Sequence, residues 1–312
     1  MSKVSVIGAG NVGATVVDAL AQNEVANEIV LLDVKENLAE GKALDIWETA
    51  PIRLSDSRII GKTNDYSKTE GSDVVVVTAG VPRKPGQSRD DLISINAKIV
   101  KTVTENVIKH SPEAILLIVS NPLDVMTYAA SLTSKKPHNK VFGMAGVLDT
   151  ARYRAFIAEA LNVSVKDIQA LLMGGHGDTM VPLPRYTTVS GIPLTQLMDK
   201  ETIDKIIKRT QKGGGEIVNL LGTSAWYAPG HAVAQMVEAI IKDQKRILPV
   251  CAYLDGQYGL KDVYLGVPVK LGKEGIEEII EIDLNEEEKQ SLLNSYNAVR
   301  EVMGILDKMK LF

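Results

Sequence analysis

The chain has 312 residues, 45% hydrophobic and 24% charged, a globular composition long enough for a large core and for two units of about 150 residues each. Thirty-five basic against 39 acidic residues leave a formal net charge of −4, so no global positive field draws the chain onto nucleic acid or an anionic bilayer, and neither partner is expected. The one cysteine, Cys251, cannot form an internal disulfide, which points to a reducing compartment, and its apolar surroundings suit a small buried hydrophobe better than a nucleophile.

In chain order, the first half alternates short β-branched runs with longer amphipathic stretches. Strands are expected at Val4–Ile7, Glu28–Leu32, Arg58–Ile60, Asp73–Thr78, Ala114–Val119 and Lys140–Phe142, with helices over Val12–Gln22 and Asp91–His110, the latter stopped by Ser111-Pro112. Runs that are apolar throughout their length imply strands covered on both faces, hence an α/β fold with a doubly wound parallel Rossmann sheet. No apolar run reaches the roughly 18 residues of a membrane span. The segment from Lys3 to Val17 mimics a secretory signal, but its three glycines and Asp18 fit one poorly, so a cytoplasmic location is expected. Beyond about residue 145 the pattern becomes mixed α+β. A helix is expected over Asp149–Leu161, a strand over Ile168–Met173, helices near Asp199–Gln211 and Ala232–Lys242, a strand-like tract Leu248–Leu254, and a last helix Asn285–Met309 whose acidic Glu286–Glu288 opens it as a solvated start. Residues 1–145 are therefore expected to form a dinucleotide-binding domain and 146–312 a substrate and catalytic domain.

Gly8-Ala-Gly10-Asn-Val-Gly13 follows a strand and opens a helix, so backbone amides and the positive helix end can face a pyrophosphate. Alone this spacing is weak evidence. Asp33 stands 33 − 13 = 20 residues past Gly13, at the end of the next strand, where a carboxylate can accept both ribose hydroxyls and repel a 2′-phosphate; the register favours NAD over NADP.

Of four histidines, His110 and His138 look like solvated surface and His231 like a packing or capping residue. His176 sits in Gly174-Gly-His-Gly-Asp-Thr179 just after an apolar strand, which lets an imidazole reach into a cleft, although this fragment alone does not separate catalysis from structure. Asp149 could orient such a histidine, and Arg152, three residues on, shares its helical face; the pair is equally an ordinary surface ion pair or a guanidinium aimed at a substrate carboxylate. Arg83 and Arg89 lie in Ala79-Gly-Val-Pro-Arg-Lys-Pro-Gly-Gln-Ser-Arg89, either a solvated basic loop or a hinged lid over an anionic substrate. Val119-Ser-Asn121-Pro122-Leu-Asp124 reads, unaided, as a turn.

Together and in this order, these motifs resemble the lactate/malate dehydrogenase family over essentially the whole chain, and most closely its lactate dehydrogenase-like malate dehydrogenases. The resemblance implies that His176 donates and accepts the proton, that Asp149 is its partner, and that Arg152 clamps the substrate C1 carboxylate. It further implies that Arg89 polarises the reacting carbonyl, that Asn121 hydrogen-bonds the substrate, that the peptide before Pro122 is cis, and that Ser224 is a second specificity contact. Cofactor contacts are expected from Gly8, Gly10, Asn11, Val12, Gly13, Asp33, Thr78, Ala79, Gly80, Asn96, Val119 and Asn121, with NAD as cofactor and no metal. In the family Arg at the position of Arg83 marks malate and oxaloacetate, where lactate enzymes usually carry Gln. Enclosing two carboxylates under a lid needs two cations, which agrees. The expected partner is thus a small dicarboxylate, and the expected assembly a homodimer or homotetramer. A dehydrogenase of L-lactate or another 2-hydroxyacid is the alternative enzyme; a catalytically idle NAD-binding protein is the alternative class.

Overall fold

The computed structural model describes residues 1–82 and 89–312, with only the backbone of Arg89. The first half runs β1 (Lys3–Ile7), α1 (Asn11–Gln22), β2 (Glu28–Asp33), α2 (Leu38–Glu48), α3 (Ala50–Arg53), β3 (Arg58–Thr63), β4 (Val74–Val77), α4 (Arg89–His110), β5 (Ile115–Ile118), α5 (Leu123–Ser134) and β6 (Val141–Gly143). Its strands pair in parallel in the order β3-β2-β1-β4-β5-β6. The all-apolar runs of β4 and β5 are buried along their length because helices cover both faces, as their lack of alternation implies. Strand order reverses between β1 and β4, and the chain leaves the carboxyl ends of β1, β2 and β4 at Gly8, Asp33 and Thr78, so a crevice opens there.

The second half begins with α6 (Gly146–Leu161) and continues through the two-residue strands β7 (Ile168–Gln169), β8 (Leu172–Met173), β9 (Val181–Pro182), β10 (Thr188–Val189) and β11 (Ile192–Pro193) to the short α7 (Leu194–Leu197). Then come α8 (Lys200–Leu221), α9 (Tyr227–Ile241), β12 (Arg246–Asp255), β13 (Lys261–Gly272), β14 (Gly275–Ile279) and α10 (Glu286–Lys308). Three of these strands join the first sheet: β12 meets β6 antiparallel through Cys251 and Gly143, and β13 and β14 extend it to nine strands. The parallel sheet expected from the sequence is therefore the first six strands of a mixed one. Gly143 permits the junction, since a Cβ there would lie 2.5 Å from Thr127 Oγ1 and 3.2 Å from Cys251 Cβ.

Several expected elements shift. The single strand over 168–173 divides into β7 and β8, which pair in different small sheets. Helix α8 continues ten residues beyond Gln211, through Gly213-Gly-Gly215, where glycine usually weakens a helix. Asn285 caps α10 in a reciprocal box with Glu288, each side chain accepting the other's backbone N–H at 2.9 Å. Glu288 is not a solvated start: it is buried and holds Arg185 at 2.9 Å. Among the described residues, no helix is long and apolar enough to cross a membrane.

The β1-to-α1 turn is the tightest backbone approach in the first half. Gly8 has φ +110°, a left-handed conformation that only glycine adopts at little cost, and a Cβ at Gly13 would fall 1.8 Å from the Gly8 carbonyl oxygen. At Gly10 a Cβ would meet nothing within 4 Å. Gly13→Ala is therefore expected to destabilise the protein by about 2–3 kcal/mol, whereas Gly10→Ala stays within about 0.5 kcal/mol of the parent; thermal melts followed by circular dichroism distinguish the two.

Candidate active site

The crevice at the reversal of strand order is a cavity of about 540 Å³. Gly8, Gly10, Asp33 and Thr78–Val81 line it together with the apolar Leu38, Ile99 and Val103. The Gly8 N–H bonds Leu32 O at 2.7 Å, and the Thr78 hydroxyl closes the turn by donating to Gly8 O at 3.0 Å. Asp33 is fixed by the turn it serves: Oδ2 accepts the Ala9 N–H at 2.6 Å and Oδ1 the Lys35 N–H at 2.8 Å. Each oxygen keeps a lone pair for a further donor. The open space at Gly10 beside the α1 N-terminus suits a diphosphate, the Asp33 carboxylate a ribose diol, and the apolar side chains of the lining a purine, so the residues present fit a dinucleotide.

A second cleft, about 610 Å³, is lined by Asp149, Arg152, His176, Gly177, Met180 and the α8 stretch from Gln211 to Asn219. Asp149 stands in the first turn of α6, where the positive helix end favours a carboxylate, and its side chain is 3% exposed. Its Oδ2 lies 2.8 Å from His176 Nδ1 and its Oδ1 accepts from Arg152 Nη1 at 3.2 Å. One buried carboxylate thus holds a guanidinium and an imidazole. With Nδ1 engaged, Nε2 is the nitrogen left for substrate. Burial alone would lower the His176 pKa; the Asp149 carboxylate, by charge and hydrogen bond, and Asp124 outweigh it against Arg152, and hold the imidazole above its ordinary value.

His176 is held from its backbone as well. Gly174 pairs with Gly266 of β13 through N–H···O bonds of 2.8 and 3.0 Å, Gly175 N–H donates to Ser295 Oγ of α10 at 2.7 Å, and His176 N–H donates to Asp124 Oδ2 of α5 at 3.0 Å. A Cβ at Gly213 would come 2.2 Å from Arg152 Cδ, so the α8 glycine lets the arginine stem pass.

Most residues singled out from the sequence meet at these clefts. Gly8, Gly10, Asp33, Thr78, Ala79 and Gly80 line the first, and Asp149, Arg152 and His176 the second. Gly13 packs beneath the turn; Asn11 and Val12 begin α1 behind it. Asn96 is buried with its amide engaged: it accepts the Val81 N–H at 2.9 Å and donates to Val81 O at 3.1 Å and Asn121 O at 2.7 Å, tying two loops together. Val119 is buried, Asn121 is exposed at the head of α5, and the Asn121–Pro122 peptide is cis. Ser224 is exposed in the connection from α8 to α9 and lines neither cleft. Arg83 lies outside the described residues, and Arg89 begins α4. His231, expected to pack, is exposed on α9, and His138 stacks on Tyr253 with ring centroids 3.7 Å apart. Asn64, Tyr66 and Thr102 of the first cleft and Gln211 and Lys212 of the second carry no motif that marks them in the sequence. Asp124, buried beside His176, lay in plain view in the Val119–Asp124 motif without a role.

Family models for lactate/malate dehydrogenase match the chain twice, the NAD-binding domain over residues 2–143 and the alpha/beta C-terminal domain over 146–306. The malate dehydrogenase of Cytophaga hutchinsonii is 65% identical over 305 residues, covering 98% of each chain. A malate dehydrogenase structure from Salinibacter ruber superposes with a TM-score of 0.95 at 57% identity, over 99% of this chain and 98% of that one. A Cryptosporidium parvum lactate dehydrogenase solved with lactic acid and nicotinamide adenine dinucleotide reaches 0.94 at 40% identity, over 98% of both chains. With two family models matched in order over nearly its whole length, the chain belongs to the lactate/malate dehydrogenase family.

Proposed function

We propose that this chain interconverts malate and oxaloacetate with NAD, residues 1–145 holding the dinucleotide and 146–312 the substrate. The carrying observation is the Asp149 carboxylate that engages His176 and Arg152 together at the second cleft. When bound, NAD supplies the hydride acceptor or donor, and this chain's residues do the rest. Arg152, planar and two-pronged, takes one substrate carboxylate. His176 Nε2 accepts the hydroxyl proton during oxidation and returns it during reduction, while Asp149 keeps Nδ1 protonated and stabilises the imidazolium. Arg89 polarises the reacting carbonyl, Asn121 hydrogen-bonds the substrate, Arg83 takes the second carboxylate, and Ser224 adds a specificity contact. Malate dehydrogenases of Cytophaga hutchinsonii and Salinibacter ruber are 65% and 58% identical to this chain, which favours the dicarboxylate over lactate. The reaction is that of the tricarboxylic acid cycle, in the cytoplasm. Assembly into a homodimer or homotetramer is favoured by exposed apolar side chains on α2 and α3 (Leu44, Trp47, Ile52), at the end of α8 (Leu220) and at the start of α9 (Tyr227).

Steady-state NADH oxidation with oxaloacetate and pyruvate in parallel tests this reading. A kcat/KM preference for oxaloacetate of about 10⁴-fold is expected, because pyruvate leaves the second cationic partner facing a methyl group. Arg83→Gln should shrink that ratio by raising pyruvate turnover and lowering that of oxaloacetate. Preference for pyruvate in the parent would assign the lactate reaction instead, and inactivity with both an idle NAD-binding protein.

The raised His176 pKa also sets a direction in pH. Reduction needs the imidazolium, so kcat/KM for oxaloacetate should be full at low pH and fall as pH rises through a midpoint above 6.5, while malate oxidation rises through the same midpoint. Asp149→Asn removes the strongest interaction that raises this pKa and leaves burial to lower it, so both midpoints should move to lower pH, which pH–rate profiles in each direction would record.

A further inference from the structure

Asp124 is a buried carboxylate for which the mechanism above has no use. It sits in the first turn of α5, three residues after Asn121, and is 7% exposed. Among the described residues no lysine or arginine forms an ion pair with it. Its two oxygens accept from two places: Oδ2 from the His176 N–H at 3.0 Å, Oδ1 from the Cys251 thiol of β12 at 3.2 Å. A carboxylate this deep costs more in desolvation than two neutral donors return, so burial, with the Asp149 charge nearby, holds its pKa above the ordinary carboxylate value against the pull of His176 and the Cys251 thiol. Hydrophobic packing would fill the same space more favourably, which directs attention to what the carboxylate holds.

We propose that Asp124 is a positioning residue for this dehydrogenase: by accepting the His176 backbone N–H it ties the proton-transferring imidazole to the α5 turn that begins at Asn121. The bond spans 52 residues of chain and joins the two halves at the point where substrate must be gripped from both. Ser295 Oγ holds the adjoining Gly175 N–H from the opposite side, so the His176 peptide is pinned between α5 and α10. A Cβ at Gly175 would lie 2.6 Å from Val299 Cγ2 of α10 and 3.3 Å from Asp124 Oδ2, so glycine lets the loop pass between α10 and α5. The charged groups that act on the imidazole are Asp149 and Arg152 from α6 and Asp124 from α5, with the Cys251 thiol behind Asp124, while Asp178 of its own loop and Lys212 and Glu216 of α8 line the same cleft. Two carboxylates therefore flank the imidazolium. When the proton leaves for the substrate alkoxide, both negative charges lose that partner, which strengthens His176 as the base that malate oxidation requires.

The inference rests on the dehydrogenase reading, and the test separates the two, because parent activity with oxaloacetate is measured alongside. Asp124→Ala removes acceptor and charge; Asp124→Asn removes the charge but keeps an oxygen that can accept the His176 N–H. For Asp124→Ala, kcat should fall between about 10- and 100-fold, as expected for a misplacement on the order of 1 Å, with the NADH dissociation constant within about twofold of the parent because the first cleft is untouched. Asp124→Asn should lose clearly less kcat than the alanine variant, and the pH midpoint of oxaloacetate reduction should move to lower pH. An Asp124→Ala protein that folds, binds NADH and matches the parent in kcat and midpoint would overturn the role, as would equal kcat losses in the two variants. Should Asp124→Ala fail to fold, Asp124→Leu, close in volume and unable to accept the His176 N–H, takes its place: a kcat loss clearly larger than that of Asp124→Asn supports the role, and parent kcat in Asp124→Leu overturns it.

Discussion

The whole site depends on one buried carboxylate that satisfies two cations at once. Asp149 would be costly where it stands without partners, and its position gives it three: the N-terminal end of α6, the Arg152 guanidinium one turn on, and the imidazole of His176. Because the helix sets the spacing of Asp149 and Arg152, the guanidinium proposed to clamp a substrate carboxylate and the carboxylate proposed to orient the proton donor share one rigid frame. His176 alone must be brought in from elsewhere, and the fold secures it at three successive residues, through Gly174 on β13, Gly175 on α10 and His176 itself on α5.

That arrangement is possible because the second half does not hang from the first by a linker. Strand β12 pairs with β6, so β12–β14 carry the sheet of the first half onward, and β13 presents Gly266 to the loop that bears His176. A Cβ at Gly266 would lie 2.4 Å from Gly174 O, which makes glycine necessary at that crossing. The dinucleotide crevice at the carboxyl ends of β1, β2 and β4 and the Asp149 cleft are thereby fixed relative to one another by a continuous sheet.

What was legible in the sequence was whatever local chemistry decides. Gly8, Gly10 and Gly13 with Asp33 at its spacing announce a turn, a helix start and a ribose contact within some thirty residues, and the unbroken apolar runs of β4 and β5 announce strands covered on both faces. The rest depends on partners far away in the chain. Nothing in the Leu248–Leu254 tract tells that it pairs with β6, and β13 and β14 carry no local signal of the sheet they join. Helix α8 was expected to end before its glycines because they weaken an isolated helix; it continues because Gly213 packs on the Arg152 stem, a contact across 61 residues. Glu288 looked like one of three solvated acids until Arg185 reached it, and Asp124 looked like part of a turn until His176 lay on it.

The most direct test is ¹⁵N NMR titration of the imidazoles in the parent protein, with His176→Asn identifying the signal among only four histidines. If Asp149 orients and charges His176 as the geometry implies, the neutral ring carries its proton on Nδ1 and titrates above 6.5. A neutral ring protonated on Nε2, or a titration at or below 6.5, would contradict the account at its centre.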